Sequence, residues 1–296
     1  MAEYVRSDLA CEISQKEMKN VQGTEWVERQ IGPFRKSTLR IRDPEGARQL
    51  GKPCGTYQTL DCGKLHKLSE EREMLLIRLL AGELRGMAER LSGRRPDGEF
   101  GVLVAGLGNA DLTADAIGPK TVSRLTATRH LQRYEQALYR AAGCSSLSAL
   151  APGVLGQTGI ETAELLRGTV KCVRPDILLV VDALSARSCA RLGSTVQISD
   201  AGIEPGSGVG NHRSAITEKS MGVPVIALGV PTVVSSATLV LDALEEAGIR
   251  NETPSLDRVL RKGRSFFVSP KDSDLIVDRT SYLLAASIGR AFTGGF

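Results

Sequence analysis

The chain has 296 residues, 42% hydrophobic but only 4% aromatic, so mainly aliphatic side chains must fill the core of one large domain or two smaller ones. Its formal net charge of +4, with basic and acidic residues mixed along the chain, argues against nucleic acid as a partner. There is neither an apolar stretch of the roughly 20 residues that a membrane-spanning helix needs nor an apolar run like that of a secretory signal, so we expect a cytoplasmic protein with no membrane partner.

The first part of the chain, up to about residue 97, is rich in charged residues, Pro and Gly. Within it, Ile77, Leu80, Leu84 and Met87 recur at helical spacing and predict an amphipathic helix over 69–91. Ser69 is a suitable N-cap for this helix. The sequence SGRRPDG, residues 92–98, then predicts a break in the chain.

From residue 98 onward, short apolar runs alternate with helical patterns. The runs predict strands at 100–105, 147–151, 177–181, 195–198 and 223–228, and the patterns predict helices at 116–131, 158–173, 233–247 and 271–291. In the second helix, Glu161 stands three residues after Thr158, as in a capping box. This alternation indicates an α/β fold with a mainly parallel sheet covered on both faces. We expect a single domain over 9–296, in which 9–97 packs on the core 98–296.

Two acidic residues follow predicted strands and are candidates for catalysis. Asp115 lies in the loop after the first strand of the core, and Asp182 directly follows the run ILLVV. Ligands and active residues collect at the carboxyl ends of parallel strands, so the two side chains can converge there. Two close carboxyl groups share a proton; one can then deprotonate a water while the other hydrogen-bonds to a scissile carbonyl oxygen. The alternative is that Asp115 caps a helix and Asp182 is a turn residue.

Other catalytic patterns are weaker. The turn Gly106-Leu107-Gly108-Asn109 resembles part of a dinucleotide-binding fingerprint, but Asp111 replaces its third glycine, and a tight turn explains the glycines as well. Ser207 lacks the glycine spacing of a nucleophile elbow. The glycine-rich stretch 198–211, with His212 after it, predicts either a flexible loop or a rim beside the acidic pair.

The six cysteines form no CxxC pair, so reduced thiols are expected. Cys54, Cys62 and His66 match no common zinc spacing. We therefore expect no metal site and no cofactor.

Several long motifs resemble the germination protease family. They occur in the family's order as GLGNADLTADAIGPK, LAPGVLGQTGIET, VVDALSARS, VQISDAGIEPGSGVGN and GVPVIALGVPTVV. The resemblance implies an atypical aspartic endopeptidase with Asp115 and Asp182 as the catalytic pair, on a fold similar to that of the hydrogenase maturation proteases and phosphorylase/hydrolase-like proteins. It implies that the enzyme initiates degradation of small acid-soluble spore proteins at germination, in the spore core, as a homotetramer.

The N-terminal sequence VRSDLACE resembles the family's processing site. A zymogen is implied that removes a leader, residues 1–8, by cutting between Asp8 and Leu9. The chain lacks a long insertion that many relatives carry between 251 and 269, so the oligomeric state and regulation stay open.

Four further residues are assigned to substrate binding: Asn109, Arg187, Asp200 and Arg213. Asn109 lies in the glycine turn, and Asp200 lies in the glycine-rich stretch. Arg187 would stand about one turn from Asp182 if a helix began there, and either arginine could pair with substrate carboxylates or form an internal salt bridge. Two alternative functions are a metal-dependent protease of the hydrogenase-processing type and a nucleotide-binding module built on the glycine turn.

Overall fold

The structure is a computed structural model that describes residues 7–13, 21–206, 214–249, 256, 259–260 and 266–294. Within these ranges nine strands form one sheet. The strands are β1 Thr24–Ile31, β2 Phe34–Ile41, β3 Gly55–Asp61, β4 Gly101–Gly106, β5 Ser146–Leu150, β6 Ile177–Ala186, β7 Thr195–Ser199, β8 Val225–Ser235 and β9 Phe267–Val268. The described α-helices are α1 Pro44–Leu50, α2 Glu70–Ser92, α3 Ile117–Ser123, α4 Arg129–Tyr134, α5 Gln136–Ala142, α6 Leu155–Thr158, α7 Thr162–Val173, α8 Glu218–Met221, α9 Ser236–Glu246 and α10 Ser273–Phe292.

The sheet has a parallel part and an antiparallel part. Its order is β1-β2-β3-β7-β8-β6-β4-β5, with β9 paired to β8. The four strands β5, β4, β6 and β8 are parallel, whereas β7, β3, β2 and β1 continue the sheet in antiparallel pairs. The parallel strands therefore carry the carboxyl-end edge at which the sequence places the acidic pair.

Helices cover both faces of the parallel strands, as the continuous apolar runs of β4 and β6 predict. On one face the buried side chains of α2 and α10, including Leu80 and Ile288, form one cluster with Val104 and Leu179. On the other face Leu166 of α7 packs with further strand residues. The α/β class and the double covering are thus confirmed.

The long helix α2 is close to its prediction. The Ser69 hydroxyl accepts the Arg72 N–H at 3.5 Å as N-cap, and Gly93 ends the helix with φ 68°. Its buried face includes all four predicted residues, Ile77, Leu80, Leu84 and Met87. None of the described helices is long and apolar enough to cross a membrane.

Two predicted helices are interrupted. The helix expected over 116–131 stops at Ser123, because the Thr128 hydroxyl hydrogen-bonds to the chain at the start of β5 instead. This hydroxyl donates to Ser145 O at 2.6 Å and accepts the Leu147 N–H at 2.9 Å. The second was expected to begin at Thr158, but the short helix α6 ends at that residue. Gly159 follows as its C-cap with φ 70°.

The chain restarts as α7 with Glu161 at the N-cap position, so the expected capping box at Thr158 does not form.

Two strands are longer than predicted. β6 continues to Ala186 because β8 pairs with it as far as Val234. Asp182 therefore lies inside a strand and does not end it. β8 in turn occupies the start of the helix expected over 233–247, which begins at Ser236. The antiparallel strands β1 to β3 lie before residue 69, where the sequence predicts no strand.

Candidate active site

The carboxyl ends of β4 and β6 border a cavity of about 460 Å³. Four acidic residues line it together: Asp8, Asp115, Asp182 and Glu204. We call it the aspartate cavity. The sequence-predicted acidic pair is thus brought to one site, and the leader residue predicted to be cut lies beside it.

Asp115 is held by the turn that follows β4. It ends the 3₁₀ helix Thr113–Asp115, and its Oδ2 accepts the Asn109 N–H at 2.7 Å. The Asn109 side chain in turn accepts the Asp111 N–H at 3.0 Å and a Gln157 N–H at 3.0 Å. Asn109 therefore orients the loop that carries Asp115.

The glycines of this turn are required by close backbone approach. Gly108 has φ 112°, and a Cβ built on it would lie 2.0 Å from the carbonyl oxygen of Asp115. A Cβ on Gly106 would lie 2.2 Å from the carbonyl oxygen of Gly118, at the start of α3. Packing of the turn and helix against the strand ends explains these glycines without a bound nucleotide.

Asp182 is 6% exposed, and its Oδ1 accepts the N–H of Ala183 at 2.9 Å. Two buried hydroxyls line the same cavity, Ser185 Oγ and Thr232 Oγ1, and neither has a hydrogen-bond partner among the described residues. The register of β6 and β8 shifts between Leu184 and Ser185, which places Thr232 in the irregularity. The cavity therefore contains buried polar groups that can hydrogen-bond to a peptide or to water.

Residues 7–13, which we call the N-terminal segment, are bound into this site. The Asp8 N–H donates to Ser185 O at 2.9 Å, and Asp8 Oδ2 accepts the Ser185 N–H at 2.8 Å. Leu9 is 1% exposed and packs in an apolar cluster with Leu184 and Val234. The predicted processing bond thus joins the half-buried Asp8 to the buried Leu9.

Glu12 anchors the far end of the segment. Its carboxylate accepts the N–H groups of Arg187 at 2.7 Å and Ser188 at 3.0 Å, bonds the Ser7 hydroxyl, and lies 3.5 Å from the Arg191 guanidinium. Burial raises the pKa of Glu12 despite these contacts, which lower it. Docking the segment therefore takes a carboxylate out of water.

A second cavity of about 400 Å³ continues from the first and shares Asp8 and Leu184 with it. Lys52 lines it and donates from Nζ to Ser7 O at 2.8 Å. Burial lowers the pKa of Lys52, while Asp8 and Glu12 act in the opposite direction. The segment thus crosses a groove formed by the two cavities.

The other predicted binding residues lie elsewhere. Because β6 continues as a strand, Arg187 is about 16 Å along the chain from Asp182 rather than one helical turn, and it is exposed and lines a different depression. Asp200 does not line the aspartate cavity; its carboxylate accepts the Thr56 N–H at 2.5 Å and pairs with Arg90 at 3.3 Å. Arg213 and His212 lie outside the described residues. Substrate binding by this set stays a prediction.

Gln197, Ser185 and Lys52 touch the N-terminal segment and were not found from the sequence. Their importance depends on which strands are neighbours, and a lone Gln in a strand carries no such signal. In the described part of the chain, no group of three or more His, Cys, Asp or Glu side chains is arranged to hold a metal ion.

Comparison with known proteins decides the family. The sequence model of the germination proteases matches residues 3–247. The chain belongs to the germination protease family. It is therefore a peptidase, and it shares the family's association with spore germination.

Curated germination proteases match over most of the chain. That of Caldanaerobacter subterraneus subsp. tengcongensis is 38% identical, covering 98% of this chain and 95% of the relative. That of Clostridium acetobutylicum is 35% identical, covering 97% and 94%. That of Priestia megaterium is 39% identical, covering 81% and 66%.

Among solved structures, a [NiFe] hydrogenase maturation protease, HycI from Thermococcus kodakarensis KOD1, matches with 16% identity and a TM-score of 0.31, covering 65% of this chain and 93% of that one.

Proposed function

We propose that this germination protease is an aspartic endopeptidase in which Asp115 and Asp182 activate a water molecule. The observation that supports this most is the shared cavity of Asp8, Asp115 and Asp182 at the edge of the parallel strands. One carboxylate accepts a proton from the water, and the other, protonated, donates to the carbonyl oxygen under attack.

The protein is further proposed to be a zymogen that cuts itself between Asp8 and Leu9. The docked N-terminal segment supports this role, since Ser7 and Asp8 line the cavities that a protein substrate would enter. Removal of residues 1–8 then opens the site. By family resemblance the substrates are small acid-soluble spore proteins, the compartment is the cytoplasmic spore core, and the assembly is a homotetramer.

Substitution of the two aspartates tests the mechanism. Asp115→Asn and Asp182→Asn should each lower cleavage of a small acid-soluble spore protein by about 1,000-fold or more, because each removes a proton-transfer group from the pair. Asp111→Asn is the matched control, since Asp111 lies in the same loop, is exposed and does not line the cavity. Unchanged thermal unfolding would show that the variants are folded.

Substantial turnover by either variant would contradict the pair. Cleavage by the wild type should also persist in a chelator, and its loss there would favour the metal-dependent mechanism instead.

A further inference from the structure

The side chain of Gln197 holds the backbone on both sides of Leu9. Its Nε2 donates to the carbonyl oxygen of Asp8 at 3.1 Å, and its Oε1 accepts the N–H of Ala10 at 2.7 Å. The two partners fix the orientation of the amide, because a flipped side chain would oppose donor to donor and acceptor to acceptor. The carbonyl that Gln197 contacts belongs to the bond proposed to be cut.

The sheet register places Gln197 in line with Asp182. Gln197 of β7 is opposite Gly229 of β8, and Gly229 is opposite Asp182 of β6. Directly opposed residues share a face of the sheet, and two strand spacings separate them by roughly 10 Å. Both side chains therefore lie on the face of the sheet that Gln197 presents to the N-terminal segment.

Leu184 packs over Gly229, between the strands that carry Asp182 and Gln197. A Cβ at this position would lie 2.6 Å from Cγ of Leu184, which covers the glycine. Leu184 also packs with Leu9 in one apolar cluster. Asp8 and Leu184 line both cavities, so the peptide that follows Asp8 lies where the cavity containing Asp182 meets the cavity containing Gln197.

Gln197 is 7% exposed on a strand inside the sheet. A buried amide that is already hydrogen-bonded to a carbonyl oxygen needs no rearrangement when that oxygen becomes negative. Such preorganised donors are the usual means of stabilising the oxyanion of acyl-transfer reactions.

We propose that Gln197 is a catalytic residue whose Nε2–H stabilises the oxyanion formed on the scissile carbonyl. The proposal rests on the proposed self-cleavage between Asp8 and Leu9. Water adds its hydroxyl to the carbonyl carbon of Asp8, the bond from that carbon to the Leu9 nitrogen breaks, and the remaining proton of the water goes to the leaving amine. The products are a peptide ending at Asp8 and a chain beginning at Leu9.

The test compares self-cleavage of the full chain with docking of its N-terminal segment. Gln197→Met has the same length but no donor, and Gln197→Glu keeps an acceptor for Ala10 and regains a donor only when protonated. Gln58→Met is the matched control, because Gln58 is 8% exposed on β3 and is opposite Ile198, so it faces the other side of the sheet.

Mass spectrometry gives the rate of cutting between Asp8 and Leu9, and alkylation of Cys11 reports how often the segment leaves its site. Gln197→Met should slow cutting by about 100- to 1,000-fold beyond any loss of docking, while Gln58→Met should cut like the wild type. Gln197→Glu should be as slow near neutral pH and recover relative to wild type as the pH falls and its carboxyl is protonated.

A residue that only clamps the segment gives a different result: cutting then falls no more than docking does, and the proposal is overturned. If the wild type cuts between Asp8 and Leu9 and Gln197→Met cuts this bond equally fast, the role of Gln197 is overturned and the processing site is not. A wild type that does not cut this bond overturns the proposed processing site and this inference together.

Discussion

Asp8 and Ser185 are joined by two hydrogen bonds, one from the Asp8 N–H to Ser185 O at 2.9 Å and one from the Ser185 N–H to Asp8 Oδ2 at 2.8 Å. Beyond Asp182, β6 pairs with β8 but no longer with β4, which stops at Gly106 opposite Val181. The leader residue thus binds strand β6 where its other neighbour has ended, with its carboxylate accepting the N–H that a paired strand would otherwise accept.

Asp8→Ala should loosen the N-terminal segment. The substitution leaves the buried Ser185 N–H without its carboxylate acceptor, which costs about 1–3 kcal/mol. Alkylation of Cys11 in the full chain should therefore accelerate at least about fivefold, while Asp8→Asn, which keeps an acceptor oxygen, should change it less. Equal alkylation rates in wild type and Asp8→Ala would show that this pair does not hold the segment.

Docking of the segment should weaken as the pH rises. Burial raises the pKa of Glu12 above its ordinary value of 4.5, with the Arg191 guanidinium and the Arg187 and Ser188 N–H groups opposing the shift. The docked form binds the proton more tightly than the released form, so protonation favours docking below pH 4.5. That contribution is lost as the pH rises through the raised pKa.

The measurement is the ratio of Cys11 alkylation rates in wild type and Glu12→Gln, which cancels the reagent's own pH dependence. Other charged or titratable groups also interact electrostatically in this region, namely Lys52, Cys11 and Asp61. Because both proteins contain them, their effects cancel in the ratio. The ratio should increase from pH 4 upward. A flat ratio would mean that Glu12 does not couple docking to pH.

Cys11 itself should react slowly in the unprocessed chain. Burial raises the pKa of its thiol to about 11, so little thiolate exists near neutral pH. Its alkylation should be on the order of 100-fold slower than that of a thiol with an ordinary pKa. The exposed Cys54 is the internal reference, and peptide mass spectrometry reads both. Similar rates at the two cysteines would contradict the docked position of Cys11.

Gly108→Ala should strongly reduce activity. The new Cβ would meet the carbonyl oxygen of Asp115 at 2.0 Å, and alanine disfavours φ 112°. Cleavage should fall by about 100-fold or more, because a displaced reacting group is costly. Gly143→Ala is the control: its φ is 60° and nothing lies within 4 Å, so only backbone strain of about 1–2 kcal/mol is expected.

Denaturant unfolding and cleavage of a spore protein are measured on both variants. If Gly108→Ala remained as active as Gly143→Ala, the glycine would not be needed to position Asp115.

The convergence of Asp115 and Asp182 on one cavity followed from the sequence because parallel strands place their carboxyl ends at one edge. The continuation of β6 past Asp182 did not, since it depends on pairing with β8. Gln197 was missed for the same reason: its position opposite Gly229 is a property of register between distant strands. Local patterns report burial and periodicity, whereas such pairings are set by tertiary structure.

The N-terminal segment is attached to the site that it occupies, and this attachment sets a threshold for every other ligand. A short flexible connection gives a tethered group an effective concentration on the order of millimolar. A free peptide present at micromolar levels competes poorly against such an occupant unless it binds the groove about 1,000-fold more tightly than the tethered residues do. Cutting the chain between Asp8 and Leu9 turns residues 1–8 into a dilute solute, so a single hydrolysis removes the tethering advantage of Asp8 while residues 9–13 stay attached.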